Sequence, residues 1–214
     1  GRFAQRLLVT EGEWMWRPSS IHQATICHGQ THDLRGNPEA WRPVALIDDS
    51  YTPRLQPCPS EPLRVTDELK VQTLRQLDDA SWLFDFGQNH AGRPRLTVEV
   101  PSGTRVQIRH CEELEPNGDP YFENYRTASV TDTVIAGDEP IDWSPSFTYR
   151  GYRYAILSWL PEGQSPTADT LRSQVLHNDV ASASRFRCSN DLFNQIDQAV
   201  RWGLRSNMHS VPTD

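Results

Sequence analysis

No stretch of this 214-residue chain approaches the roughly 18 unbroken apolar residues that a membrane-spanning helix needs, so none is expected. A block of Lys or Arg is also missing. The net charge of −7 is spread along the chain, which disfavours a phosphate-tracking surface and hence nucleic acid as a partner. The four cysteines, Cys27, Cys58, Cys111 and Cys188, form no Cys-x-x-Cys pair, which argues against zinc and thioredoxin-like chemistry. Their spacing does not decide between free thiols and disulfides. The start, Gly1 to Arg6, shows no basic segment leading into an apolar one, so no signal peptide is visible. A soluble chain is expected, with a cytoplasmic or a secreted location left open.

What is present reads as three stretches. From Phe3 to about Tyr51, short apolar pieces at Leu7-Leu8-Val9, Ile21 to Cys27 and Val44 to Ile47 suggest strands joined by loops. Pro53, Pro57, Pro59 and Pro62 then punctuate a linker. From about Leu63 to Asn178, alternation dominates. Leu96, Val98 and Val100 share one face and Arg95, Thr97 and Glu99 the other, while Val106, Ile108 and His110 repeat the pattern after a Pro101-Ser102-Gly103 turn. These two runs are expected to form a hairpin. Further strands are expected at Val71 to Leu74, Trp82 to Phe86, Ala128 to Ile135, Tyr152 to Leu157 and Ser173 to Leu176, which favours an antiparallel β-sandwich. After Ser189-Asn190 the period changes. Leu192, Phe193, Ile196, Ala199, Val200 and Leu204 fall at helical spacing, and their stripe calls for a partner.

Several groups of side chains offer chemistry. Glu112, Glu113 and Glu115 form an acidic cluster before an Asn-Gly turn, but neighbours on a strand face opposite ways, so Glu112 and Glu113 are expected to be solvated rather than a catalytic pair. Asp85, Gln88, Asn89 and His90 with Trp82 could line a sugar site; turn and core roles are preferred for them. His28, His32 and Asp33 are too few for a metal site, and surface histidines are the default. Trp14 and Trp16 share a face if extended, either as a sugar platform or as core, with core preferred. Arg150-Gly151-Tyr152-Arg153 reads as a packing and ion-pairing motif, Gly151 permitting close backbone approach.

Phe84-Asp85-Phe86-Gly87-Gln88-Asn89-His90-Ala91-Gly92 resembles the start of the β-sandwich that precedes the catalytic domain in glycoside hydrolase family 78, the α-L-rhamnosidases. The resemblance continues through His110-Cys111-Glu112-Glu113-Leu114 and Asn124-Tyr125-Arg126-Thr127-Ala128. Pro145-Ser146-Phe147-Thr148-Tyr149-Arg150-Gly151-Tyr152-Arg153-Tyr154 then matches the family's Pro-x-Phe-Thr-x-x-Gly-Phe-Arg-Tyr pattern, with Tyr152 in place of Phe. Ser189 to Trp202 and Asn207 to Asp214 resemble the first helix and following turn of the family's (α/α)6 barrel. Gly29 to Arg35 is similar to a Gly-Glu-x-x-Asp-Ala-Arg region of a smaller preceding sandwich, with Gln30 for Glu and Leu34 for Ala.

The resemblance implies a mainly β chain: a jelly-roll or concanavalin-like antiparallel β-sandwich over 63–180, part of a smaller sandwich over 1–62, and over 181–214 the first helix of a truncated (α/α)6 catalytic barrel. It implies a rhamnose-containing carbohydrate and the remainder of the catalytic domain as partners. Asp214 is the one catalytic-site candidate that the motif supplies, placed where a carboxylate would hold rhamnose hydroxyls or stabilise developing positive charge. Other substrate-binding residues are not identified, and the acid/base pair for inverting hydrolysis is expected to lie outside these residues. No cofactor is expected. In some family members the smaller sandwich binds L-rhamnose with calcium, but the neutral Gln30 removes a carboxylate that a hard cation prefers, so calcium is the disfavoured alternative. The rival reading is a non-catalytic carbohydrate-binding or structural β-sandwich.

Overall fold

A computed structural model describes residues 13–36, 38–46, 54 and 56–213. The strand expected at Leu7 to Val9 and the candidate Asp214 lie outside the described residues. The strands are β1 (Met15–Trp16), β2 (Ile21–Thr25), β3 (Gly29–Asp33), β4 (Arg42–Pro43), β5 (Leu63–Leu69), β6 (Thr73–Asp78), β7 (Ser81–Val98), β8 (Arg105–Cys111), β9 (Thr131–Ile135), β10 (Ile141–Trp143), β11 (Arg150–Ser158) and β12 (Leu171–Asn178). Helix α1 (Asp191–Asn207) and a tight hairpin, β13 (Met208–His209) with β14 (Val211–Pro212), follow. Among the described residues the chain is mainly β with one α-helix near its end, as expected.

Ten strands form one strongly curled sheet in the order β2-β3-β9-β8-β11-β7-β12-β5, with β6 and β10 also on β7. β7 is shared between two layers. Its first part pairs with β6 and β11, whereas Gly92 to Leu96 pair with β12 and Leu96 to Val98 with β10. Along it, Trp82, Phe84, Phe86 and Leu96 are buried on one face, the even-numbered face of a period-2 strand. From β8, β9, β11 and β12 come Val106, Ile108, Val134, Tyr152, Ala155, Leu157 and Leu171, and from β10 Ile141 and Trp143, all in the same core. The other face carries a smaller cluster of Leu83, Cys111, Tyr154 and Ile156 under Leu114, Phe122 and Tyr125.

The hairpin expected between Leu96–Val100 and Val106–His110 does not form. β8 pairs with β9 and β11 instead, and the intervening turn is clipped to the end of β9, Gly103 N donating to Ala136 O at 2.8 Å and Ala136 N to Thr104 O at 2.8 Å. Alternation reports which face is buried, not which strand lies alongside. Val44 to Leu46 are likewise not a strand, the pairing there being Trp16 with Arg42.

β2 and β3 join the same curled sheet, Thr31 to Asp33 running parallel to Thr133 to Ile135. Close approach at Gly29 makes this possible. Its φ is +101°, and a Cβ there would sit 1.9 Å from the Thr131 carbonyl oxygen and 2.8 Å from Arg150 Nη2. We therefore expect Gly29→Ala to push β3 off β9 and lower the unfolding free energy by about 2–3 kcal/mol in urea titrations. An unchanged midpoint would contradict the docking of β3.

Candidate functional site

Helix α1 starts where the spacing predicts, with Asn190 Oδ1 accepting from Leu192 N at 3.0 Å. Asn194 holds the preceding turn, its amide bonding both Cys188 N and Cys188 O at 2.9 Å. One face meets β7 and β12, and Ala91 N donates to Ser206 Oγ at 3.2 Å. Leu192, Phe193, Ile196, Val200 and Leu204 lie elsewhere on the helix and are about half exposed.

The segment leading to position 214 is tightly held. Asn207, the last residue of α1, receives Thr213 N on its carbonyl at 2.9 Å, and its Oδ1 accepts from Thr213 Oγ1 at 3.1 Å. Between them, His209 is buried and stacks on Tyr149, with centroids 4.1 Å apart and planes 6° from parallel. Ser210 N donates to Asn178 Oδ1 at 2.6 Å, and Asn178 Nδ2 donates to Glu61 O. Burial lowers the His209 pKa, the Leu176 carbonyl opposing it, so the ring is neutral near pH 7. Tyr149, Asn178, Asn207 and His209 were not singled out by the sequence as candidates. Asn178 closing an alternating strand and Asn207 ending a helix were the available signals, and both residue types are common at such boundaries.

The other candidates separate. Trp82 and His90 are interior. His90 Nδ1 faces Gln88 O at 2.9 Å, which assigns the proton to Nδ1, and Nε2 accepts from Ser173 at 2.6 Å. Ser173 also bonds Tyr152, so the Ser–His contact belongs to a buried chain of hydrogen bonds. Asp85 takes both Arg153 Nε and Nη2 at 2.9 Å; burial raises its pKa, but these bonds and Gly87 N outweigh it and the net shift is downward. Glu112 accepts from Asn89 and Asn124 at 3.2 and 3.3 Å, tying β7 to the turn at Glu123–Tyr125, while Glu113 and Glu115 are exposed. No pair of carboxylates converges there.

His28 and His32 do not converge either. His32 Nδ1 accepts from Trp143 Nε1 at 3.0 Å and its other nitrogen meets Ser20 Oγ at 3.0 Å, whereas His28 lies exposed beside Ser129. Calcium does not fit the residues that the resemblance pointed to. Both Asp33 oxygens are taken by Arg35, whose hydrogen bond lowers that carboxyl to about 2, and Gln30 Oε1 accepts from Ser146 N and Phe147 N at 2.9 and 3.2 Å. Among the described residues no three His, Cys, Asp or Glu side chains gather at metal-binding distance. Trp14 and Trp16 are 42% and 46% exposed, against the core role preferred for them. The β1–β4 ribbon is separate from the main sheet, and Arg42 covers Trp16 only at 5.4 Å.

Beneath the smaller segment sits a buried ionic clasp. Asp132 Oδ1 accepts from Gln30 N at 2.8 Å and Arg150 Nη2 at 3.0 Å, and Arg150 Nη1 reaches Ile26 O at 2.7 Å. His110, fully buried, directs Nδ1 at Val130 O (3.0 Å) and leaves Nε2 3.9 Å from Asp132 Oδ2. Burial pushes the His110 pKa down to about 4; Asp132 opposes this and Arg150 adds to it.

A family profile described as the bacterial alpha-L-rhamnosidase concanavalin-like domain matches residues 75–177, and one described as the bacterial alpha-L-rhamnosidase 6 hairpin glycosidase domain matches residues 181–214. An alpha-L-rhamnosidase of Formosa agariphila is 33% identical over 175 residues, covering 81% of this chain and 19% of its own length. The chain is similar to the structure of Streptomyces avermitilis alpha-L-rhamnosidase complexed with L-rhamnose, at 29% identity and a TM-score of 0.88, over 96% of this chain and 21% of that one. The Dictyoglumus thermophilum alpha-L-rhamnosidase structure matches at 30% identity and a TM-score of 0.86, over 97% and 24%. The chain thus spans about a quarter or less of the length of these relatives.

The folded-state pKa of His110 is depressed relative to the unfolded value of about 6.5, so its neutral form stabilises the fold above pH 6.5 and that stability is lost as pH falls toward 4. The loss amounts to about 3 kcal/mol from this one group. His110→Gln should show a shallower fall in urea midpoint than the parent between pH 7 and 4.5. Equal slopes would assign the acid sensitivity to other groups.

Proposed function

Because the chain belongs to the bacterial α-L-rhamnosidase family, we propose that it serves the hydrolysis of terminal α-L-rhamnosides with inversion at the anomeric carbon. In such a reaction one carboxylic acid protonates the leaving oxygen and one carboxylate activates water, the two about 6.5–9.5 Å apart. The carboxylate of Asp214 would hold the sugar hydroxyls or stabilise developing positive charge, with the acid/base pair supplied from outside residues 1–214. In this reading 63–180 is the larger sandwich, whose sheet β2 and β3 of the preceding 1–62 segment extend, and 181–214 is the opening of an (α/α)6 catalytic unit. Residues 1–214 alone would have no activity.

The observation that supports this most is the order of the two matched segments, sandwich and then helix, in a chain whose sandwich and helix pack on one another. A second, non-catalytic reading as a carbohydrate-binding module draws on the exposed Trp16 and Trp41, at 46% and 56%, whose indole rings are of the kind that stack on sugars, with Arg42 and Arg17 lying over them at 5.4 and 4.7 Å.

The test uses p-nitrophenyl α-L-rhamnoside with the full-length gene product and with residues 1–214, following the released anomer by proton NMR. We expect turnover with inverted rhamnose from the full-length product, none from residues 1–214, and a fall of about 10²-fold or more in kcat/KM for Asp214→Asn. Turnover by residues 1–214 alone, or release with retention, would overturn the reading. Calorimetric titration of residues 1–214 with L-rhamnose, with and without calcium, tests the second reading, which requires binding that Trp16→Ala and Trp41→Ala abolish.

A further inference from the structure

A helix end by itself leaves the next residues free to point in many directions. Here the five residues that separate Asn207 from Thr213 are pinned at three places, and two of the anchors belong to the sandwich. Asn178 closes β12 and is buried; one end of its amide donates to Glu61 O, and the other accepts from Ser210 N at 2.6 Å. Its orientation is therefore held by a bond that does not involve the hairpin. The second anchor is the His209 ring laid flat on Tyr149. The third is local: Thr213 bonds back to Asn207 through both its N–H and its hydroxyl, while Asn207 Nδ2 is itself held on Gly203 O at 3.1 Å.

Ser210 at the tip has a φ of +71°, a conformation that a residue with a side chain rarely adopts. Such strain persists only where the surrounding contacts over-determine it, and the Asn178 bond supplies that constraint. Thr213, by contrast, is exposed, so its paired bonds to Asn207 bury no apolar surface and bear on direction rather than on core stability.

We infer that Asn178 and Thr213, the latter through Asn207, are positioning residues for Asp214: the end of the sandwich sets the direction in which the chain enters the sugar-binding segment. This rests on the role proposed above for Asp214. A side chain that must meet a sugar hydroxyl at hydrogen-bonding distance loses most of its effect if its backbone shifts by about 1 Å, at a cost near 10²-fold.

The experiment is steady-state kinetics of the full-length gene product on p-nitrophenyl α-L-rhamnoside, with thermal midpoints measured alongside. Thr213→Val removes the hydroxyl while keeping the shape. It should lower kcat about tenfold with KM changed less than threefold and the thermal midpoint unmoved, and Thr213→Ser should restore kcat to within twofold of the parent. Asn178→Ala should lower kcat by about tenfold or more. If that variant fails to fold, the Thr213 pair still decides. Thr213→Val within twofold of the parent, while Asp214→Asn is inactive, would overturn the inference and leave the role of Asp214 standing. A loss that tracks the thermal midpoint and is not restored by Thr213→Ser would also overturn it. Full activity in Asp214→Asn, or no turnover by the unsubstituted product, would remove the reading on which it rests.

Discussion

The fold depends on pairing the backbone of one long strand. β7 runs for 18 residues through the interior, and a buried strand must find partners for its N–H and C=O groups along its length. The chain meets this by giving β7 different neighbours in its two parts, β6 and β11 and then β12 and β10. The exchange of β6 for β12 spans the exposed or half-exposed residues Gly87 to Asn89, where φ of Gly87 is +77°, while on the other side β11 stays paired as far as Gly92. Since the even-numbered face stays inward on both sides of this irregularity, Phe84 and Leu96 reach one core from different layers. Curling the sheet around a shared strand thus creates the enclosed volume that β8, β9, β11 and β12 fill.

The interior is not uniformly apolar. Asp132 and Arg150 are both buried, a placement that would be costly if either lacked its partner, and their bonds to Gln30 N and Ile26 O draw the β2–β3 segment onto the larger sheet. Gln30 extends the same arrangement, its carbonyl oxygen receiving two successive backbone N–H groups of the Ser146–Phe147 turn. A glutamate here could accept the same bonds, but it would place a second carboxylate in a dry site beside Asp132. Gln30 braces this turn without a second buried charge, at the cost of an Nε2 that has no hydrogen-bond partner, and it lacks the carboxylate that calcium would want.

Sandwich and helix are joined by polar bonds more than by core packing. Ser206 meets the β7 backbone and Asn178 meets the hairpin, whereas the apolar stripe from Leu192 to Leu204 stays about half exposed. Hydrogen bonds have narrow geometric tolerance, so this kind of junction fixes direction while burying little surface. It places the residues before Asp214 under the control of strands that are far away in sequence.

Local patterns were readable from the residues alone. Period-2 alternation marked Leu96 to Val98 and Val106 to His110 as half-buried strands, and the 3.6-residue spacing after Asn190 marked α1 with its cap, because both signals depend only on neighbours along the chain. Ordered motifs such as Phe84 to Gly92 and Pro145 to Tyr154 carried the family likeness in the same way. Strand partners were not readable: Leu96 to Val98 lie beside β10 and not β8, a choice made by how the whole sheet closes. The roles of Asp85, Glu112, His90 and His32 were likewise decided by Arg153, Asn124, Ser173 and Trp143, residues 12 to 111 positions away. A side chain's type states what it can bond, and only the folded sheet determines which distant group arrives to meet it.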